Sequence, residues 1–108
     1  MTTITIFQNQ SDVTGFHCIG HSGYAKAGED IICAAVSVLV INTVNAIEKF
    51  TSSMFSLETE EESALIDFRF TQKADHDAEL LINTMILGLQ GIQNTYGNEH
   101  FILDFKEV

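Results

Sequence analysis

Gly20-His21-Ser22-Gly23-Tyr24-Ala25-Lys26-Ala27-Gly28-Glu29-Asp30-Ile31-Ile32-Cys33-Ala34-Ala35-Val36-Ser37 is where this chain changes character. Before it, apolar residues alternate with polar ones; after it, they recur at three and four positions. The glycine-punctuated loop from Gly20 to Glu29 therefore joins strands to a helix, and the fold is read outward from that junction. From Ile31 to about Phe50, the residues Ile32, Val36, Leu39 or Val40, Thr43, Ile47 and Phe50 form one helical stripe. Ala34, Ala35, Val38 and Ile41 leave the first three turns apolar nearly all round. A helix apolar on more than one face needs more than one partner. It is expected to pack on a sheet and against either another helix or a second subunit.

Toward the N-terminus, Thr2 to Gln8 alternates with Ile4 and Ile6 on one face, and Val13 to Ile19 reads as a second strand after the turn chemistry of Asn9, Gln10, Ser11 and Asp12. His17 falls in that second strand as an exposed or hydrogen-bonded residue. Toward the C-terminus, Met54 to Leu57 is a short strand, and Ala64 to Phe70 alternates Ile66, Phe68 and Phe70 against Leu65, Asp67 and Arg69. Glu58, Glu60, Glu61 and Glu62 between them read as a solvated acidic tip, since neither a histidine nor spaced aspartates join them as metal ligands. A second helix opens at Asp75, His76 and Asp77, carries Leu81, Met85, Leu89 and Ile92, and closes at Gly97-Asn98. Phe101, Leu103 and Phe105 alternate as a final strand. The expected fold is a two-layer α+β domain spanning 1–108, ordered strand-strand-helix-strand-strand-helix-strand. Two long helices should cover one face of a mainly antiparallel five-stranded sheet whose strand order is left open.

A chain of 108 residues with 45% hydrophobic residues and no proline can bury a core without a metal or disulfide staples. Five Lys and Arg against fifteen Asp and Glu give a net charge of −10, which argues against nucleic acid or an anionic membrane as direct partner and favours a basic one. The same charge also serves simple solubility. The N-terminus lacks the basic and long apolar regions of a signal peptide, so a cytoplasmic location with reduced thiols is expected. No apolar run is expected to reach the length of a membrane span. Cys18 and Cys33 leave open a disulfide, which would silence Cys33 as a nucleophile.

Chemistry concentrates at Cys33. A free cysteine is mostly protonated at neutral pH, and the thiolate is the nucleophile. Asp30 as N-cap would put Cys33 at the third helical position, in the first turn, where unpaired amides and the helix dipole favour a negative sulfur. His21, returned by a loop containing Gly20, Gly23 and Gly28, could complete the ion pair. Ser37 lies one turn beyond Cys33 on the same face, where its hydroxyl could meet the imidazole or substrate, or its own backbone. Taken singly, a cysteine among Ile, Ala and Val is more often a small buried hydrophobe, and an aspartate there more often only a cap. Tyr24 could be a lid contact of a loop that closes on substrate, or could pack on the sheet.

Gly20-His21, Gly23-Tyr24, Gly28-Glu29-Asp30 and Cys33-Ala34-Ala35-Val36-Ser37 together closely resemble the signature of the bacterial ribosomal-processing cysteine protease family. Only Ser22 departs, where the family usually has alanine. The resemblance implies a cytoplasmic endopeptidase that removes the N-terminal extension of a large-subunit ribosomal protein, the one of L-twenty-seven type, with no cofactor or metal. It implies Cys33 as nucleophile, His21 as base, and Asp30 and Ser37 in support, Asp30 orienting His21, capping the helix, or both. It also implies cleavage at consecutive phenylalanines, for which Gly20, Gly23, Tyr24, Val36 and Val40 are the candidate substrate contacts. A homodimer fits the doubly apolar helix. The rivals are a non-catalytic acidic dimer that holds a basic ribosomal protein, and a thiol-dependent hydrolase or transferase of small molecules.

Overall fold

The computed structural model describes the backbone of residues 2–20 and 29–108, and the side chains of 2–20 and 31–108. Seven elements follow in the expected order: β1 (Thr2–Asn9), β2 (Asp12–Ile19), α1 (Glu29–Phe50), β3 (Phe55–Glu60), β4 (Leu65–Phe70), α2 (His76–Tyr96) and β5 (Phe101–Glu107). One mixed sheet runs β3-β4-β2-β1-β5. Its pairings are antiparallel except β1 with β5, which is parallel, Thr2 standing opposite Phe101 and Ile4 opposite Leu103.

The period-2 alternation sorts the sheet into two faces. Thr2, Ile4, Ile6, Phe16, Cys18, Phe68, Phe101 and Leu103 are buried in one core with the inner stripes of both helices. Registers place Ile4 between Cys18 and Leu103, and Phe16 between Ile6 and Phe68. Phe68 is the aromatic centre: it stacks on Phe16 at 5.2 Å and on Phe55 at 4.7 Å, and meets Phe70 edge-on at 4.9 Å. The β1–β2 turn places Gln10 and Ser11 at φ 50° and 77°, the left-handed pair that matches the twist of a two-residue hairpin. On the outer face His17 Nδ1 lies 2.7 Å from Asp67 Oδ2, and Arg69 Nε donates to Asp67 Oδ1 at 2.9 Å while its guanidinium lies 4.1 Å from the Phe7 ring centre. Burial raises the Asp67 carboxyl, but the Arg69 hydrogen bonds, then that of His17, outweigh it and hold the group below its ordinary value.

Both helices obey their stripes. Ile32, Val36, Val40, Val44 and Ile47 of α1 are buried, as are Ala78, Ile82, Met85, Ile86 and Leu89 of α2. The helices close on each other where Gly88 leaves room for Leu39, since a Cβ there would stand 2.7 Å from Leu39 Cδ2. Asp75 caps α2, accepting from the Ala78 amide at 2.8 Å, and Gly97 ends it at φ 76° with its N–H on the Gln93 carbonyl.

Three expectations are corrected. β3 runs to Glu60, so Glu58 and Glu60 belong to an edge strand and only Glu61 and Glu62 to the turn; charged side chains suit an edge that must not pair further. α1 begins at Glu29, so Asp30 is its second residue and not its N-cap, and Cys33 is its fifth, one turn inside. Finally, Ile31–Phe50 is long and apolar enough to cross a membrane by length and composition, although in this fold its inner stripe is core. Its outer face is not covered: Ile31 is 68% and Val38 69% exposed.

Phe68→Ala removes the ring on which three others pack, and should destabilise the fold by about 3–5 kcal/mol. A urea or guanidinium titration reads this directly, and a loss under 1 kcal/mol would contradict the packing described.

Candidate active site

The inner stripe fixes how α1 is rotated, and with it the direction of Cys33. Cys33 follows Ile32 by about 100° around the helix, at the margin of the buried stripe, and is accordingly half-buried. Ser37, one turn further, is exposed. Both line a cleft of about 230 Å³, together with Thr2, Cys18 and Gly20 of the first two strands and with Thr59, Glu60, Glu61, Ala64, Leu65 and Ile66 around the β3–β4 turn. A somewhat larger cleft of about 280 Å³ adjoins the β1–β2 turn and holds neither cysteine nor histidine.

Within the Cys33 cleft the sulfur has a polar neighbour. Thr2 Oγ1 lies 3.2 Å from Cys33 Sγ. Cys18 sits on the same wall, 4% exposed, and both thiols are free. Burial pushes the Cys18 thiol up to about 11, with the nearby Cys33 adding to the rise, so Cys18 remains a neutral thiol at physiological pH. The two sulfurs differ in access: Cys33 is half-buried and opens on the cleft, whereas Cys18 borders the same cleft but is buried.

Gly20, the residue after β2, lies against the β3–β4 turn. Its N–H donates to the Ser63 carbonyl at 3.0 Å, and a Cβ on it would stand 2.7 Å from Ala64 Cβ. The glycine is needed there for close approach, and it brings the chain to the cleft one residue before His21. His21, Gly23, Tyr24 and the Asp30 side chain lie outside the described residues. Among the described residues, no group of three or more His, Cys, Asp and Glu is arranged to hold a metal.

Val36 and Val40 do not belong to the cleft. Both are 0% exposed, turned into the sheet on the stripe that also carries Ile32 and Ile47, so they cannot offer a pocket to a peptide. The apolar wall that does face the cleft comes from Ala64, Leu65 and Ile66. Of the cleft residues, only Gly20, Cys33 and Ser37 were sequence candidates; Thr2, Cys18, the acidic pair Glu60 and Glu61, Thr59 and the apolar wall were passed over. Alternation could have found two of them: Thr2 shares the face of Ile4 and Ile6, and Cys18 that of Phe16. Nothing local signals that the β3–β4 turn meets α1, because that follows from strand order.

Residues 1–100 match the family described as cysteine protease Prp. The ribosomal processing cysteine protease Prp of Staphylococcus aureus is 31% identical over 107 residues, covering 98% of this chain and all of the relative. The crystal structure of an essential ribosomal processing protease Prp from S. aureus in complex with a substrate peptide is similar at a TM-score of 0.91 and 30% identity, over 98% of this chain and 100% of that one. A second S. aureus structure, in complex with a covalently linked product peptide, gives 0.87 at 31% identity and the same coverage.

Iodoacetamide at neutral pH should add a single carbamidomethyl group, on Cys33. Cys33→Ala should abolish the addition and Cys18→Ala should leave it. Intact-mass and peptide mass spectrometry check this, and modification of Cys18 in the folded protein would contradict its sealing.

Proposed function

Since this chain belongs to the cysteine protease Prp family and is itself a cysteine protease, we propose that its substrate is the N-terminal extension of a large-subunit ribosomal protein of L-twenty-seven type. The observation that carries this reading is Cys33 opening into a cleft with an acidic lip, Glu60 and Glu61, on a protein of net charge −10. A ribosomal protein tail is cationic, and such a surface speeds its encounter in a salt-dependent way. The S. aureus relative is named for ribosomal processing, and its structure holds a substrate peptide. The non-catalytic holder is set aside by membership in a family of proteases.

In this mechanism His21 takes the Cys33 proton and the thiolate attacks the scissile carbonyl. The tetrahedral intermediate collapses to a thioester, the imidazolium protonates the departing amine, and water then releases the new carboxylate and restores Cys33. The helix start changes one part of the sequence reading. With α1 beginning at Glu29, the N–H of Cys33 lies within the helix ladder, and the amides free to meet an oxyanion are those of Glu29, Asp30 and Ile31. Asp30 can orient His21 from the helix mouth, and Ser37 offers a hydroxyl to the peptide one turn further on. Gly20, Gly23 and Tyr24 are the loop contacts of the peptide, with the wall of Ala64, Leu65 and Ile66 taking the place given earlier to Val36 and Val40. The reaction class uses no cofactor.

Incubation with the extended ribosomal protein should yield one new N-terminus by mass measurement. Cys33→Ala and His21→Ala should each lower the rate by at least about 1000-fold without loss of fold. Full activity in Cys33→Ala would overturn the mechanism, and an uncut extension would overturn the substrate.

The protein is further proposed to work as a cytosolic homodimer. The reducing cytosol suits two free thiols, the acidic surface leaves nucleic acid and anionic membranes as poor partners, and the uncovered side of α1 carries Ile31, Val38 and Ile41. Sedimentation should give twice the chain mass, falling to the monomer in Val38→Asp. A wild-type monomer at tens of micromolar would exclude the dimer.

A further inference from the structure

The charge on Cys33 needs a donor, and the described part of the molecule holds one that the sequence reading did not name. The free helix amides, those of Glu29, Asp30 and Ile31, stand two to four residues before Cys33 along α1, and the N–H of Cys33 itself is used inside the helix. Thr2 Oγ1, by contrast, is 3.2 Å from Sγ. We propose that Thr2 is a positioning residue of the protease: its hydroxyl donates a hydrogen bond to the Cys33 thiolate, which favours the charged sulfur and holds it at the cleft.

Three features support this. Thr2 is held firmly: it pairs with Phe101, its backbone N–H donates to the His100 carbonyl at 3.1 Å, and the residue is 4% exposed. A donor on such a strand is preorganised, so little ordering is needed when the charge forms. Among the described residues, Cys33 Sγ is the one side-chain partner of the Thr2 hydroxyl, and a buried hydroxyl without a partner is rare. In the thiol form either atom can donate; in the thiolate form sulfur can only accept, so the proton must come from Thr2, and a charge-assisted bond is stronger than its neutral counterpart. Cys18, the other sulfur on this wall, is a neutral thiol and does not compete as an anion.

The proposal rests on Cys33 being the nucleophile, and the experiment separates the two. Thr2→Val keeps the branched shape of the side chain and removes the donor; Thr2→Ser keeps the donor. Carbamidomethylation of Cys33 by iodoacetamide is followed from pH 5 to 9, with melting temperatures recorded for each variant. Thr2→Val should react about tenfold more slowly than wild type on the acid side, its curve displaced to higher pH, and should reach at least the wild-type rate on the alkaline plateau, where a thiolate relieved of its hydrogen bond is no weaker a nucleophile. Thr2→Ser should restore the wild-type curve. kcat/KM for peptide cleavage should show the same displacement of its acid limb.

Superimposable curves for wild type and Thr2→Val overturn the proposal. So does displacement to lower pH, which would mean that Thr2 only accepts from the thiol, and so does a Thr2→Ser variant that behaves like Thr2→Val. If wild-type protein alkylates at Cys33 but leaves the ribosomal extension uncut, the substrate assignment fails while the Thr2 result stands on its own.

Discussion

The seating of α1 on the sheet is the constraint from which the site follows. Ile32, Val36, Val40, Val44 and Ile47 must leave water together, and they can do so at only one rotation of the helix. Fully burying a Val or Ile side chain is worth about 1.5–3 kcal/mol, so turning α1 far enough to sink Cys33, or to swing it into solvent, would expose several such residues at once. Cys33 thus owes its half-buried place, beside Thr2 and above Cys18, to apolar residues that take no part in the reaction. The sheet contributes equally. Phe68 clamps β4 to β2 and β3, and the start of β4 at Leu65, with Ala64 of the turn before it, forms the far wall of the cleft.

Two cysteines in one wall illustrate how burial divides labour between identical groups. Cys18 lies on a central strand under the helix, where a charge would be stripped of water, and its thiol is raised to about 11. Cys33 lies at the stripe's margin with a hydroxyl at 3.2 Å and open space before it. A reader of the sequence sees the same residue type twice among apolar neighbours; the fold makes one a buried filler and leaves the other at the edge of a cleft.

Much of the fold was legible because two periods carry it. Period-2 alternation marked β1, β4 and β5, and in β4 it separated Phe68 from Asp67 and Arg69 correctly; β3 was expected only as far as Leu57 and runs to Glu60, while the three- and four-residue stripe gave both helices to within two residues at most. What was not legible depended on strand order or on choosing between two uses of one residue. The acidic residues were assigned to a tip because nothing local says that β3 continues to Glu60 or that its turn borders α1. Val36 and Val40 were asked to be both core and pocket, and burial on the sheet allowed only the first. Asp30 looked like a cap because aspartate favours that position, but the helix takes in Glu29 as well, which moves Cys33 from the first turn to the next. Thr2 was recognisable as an inner-face residue and unrecognisable as a neighbour of Cys33, since their meeting requires the helix to be laid over the sheet.

The parallel pairing of β1 with β5 joins residues from opposite ends of the described chain. Such a contact is slow to form, because the entropy of closing the long intervening segment is lost before the pairing rewards it. Thr2 is clamped only when Phe101 and the His100 carbonyl have arrived beside it. The wall behind Cys33 is therefore finished late during synthesis: a ribosome-bound fragment without β5 holds Cys33 but not the strand that clamps Thr2 beside it.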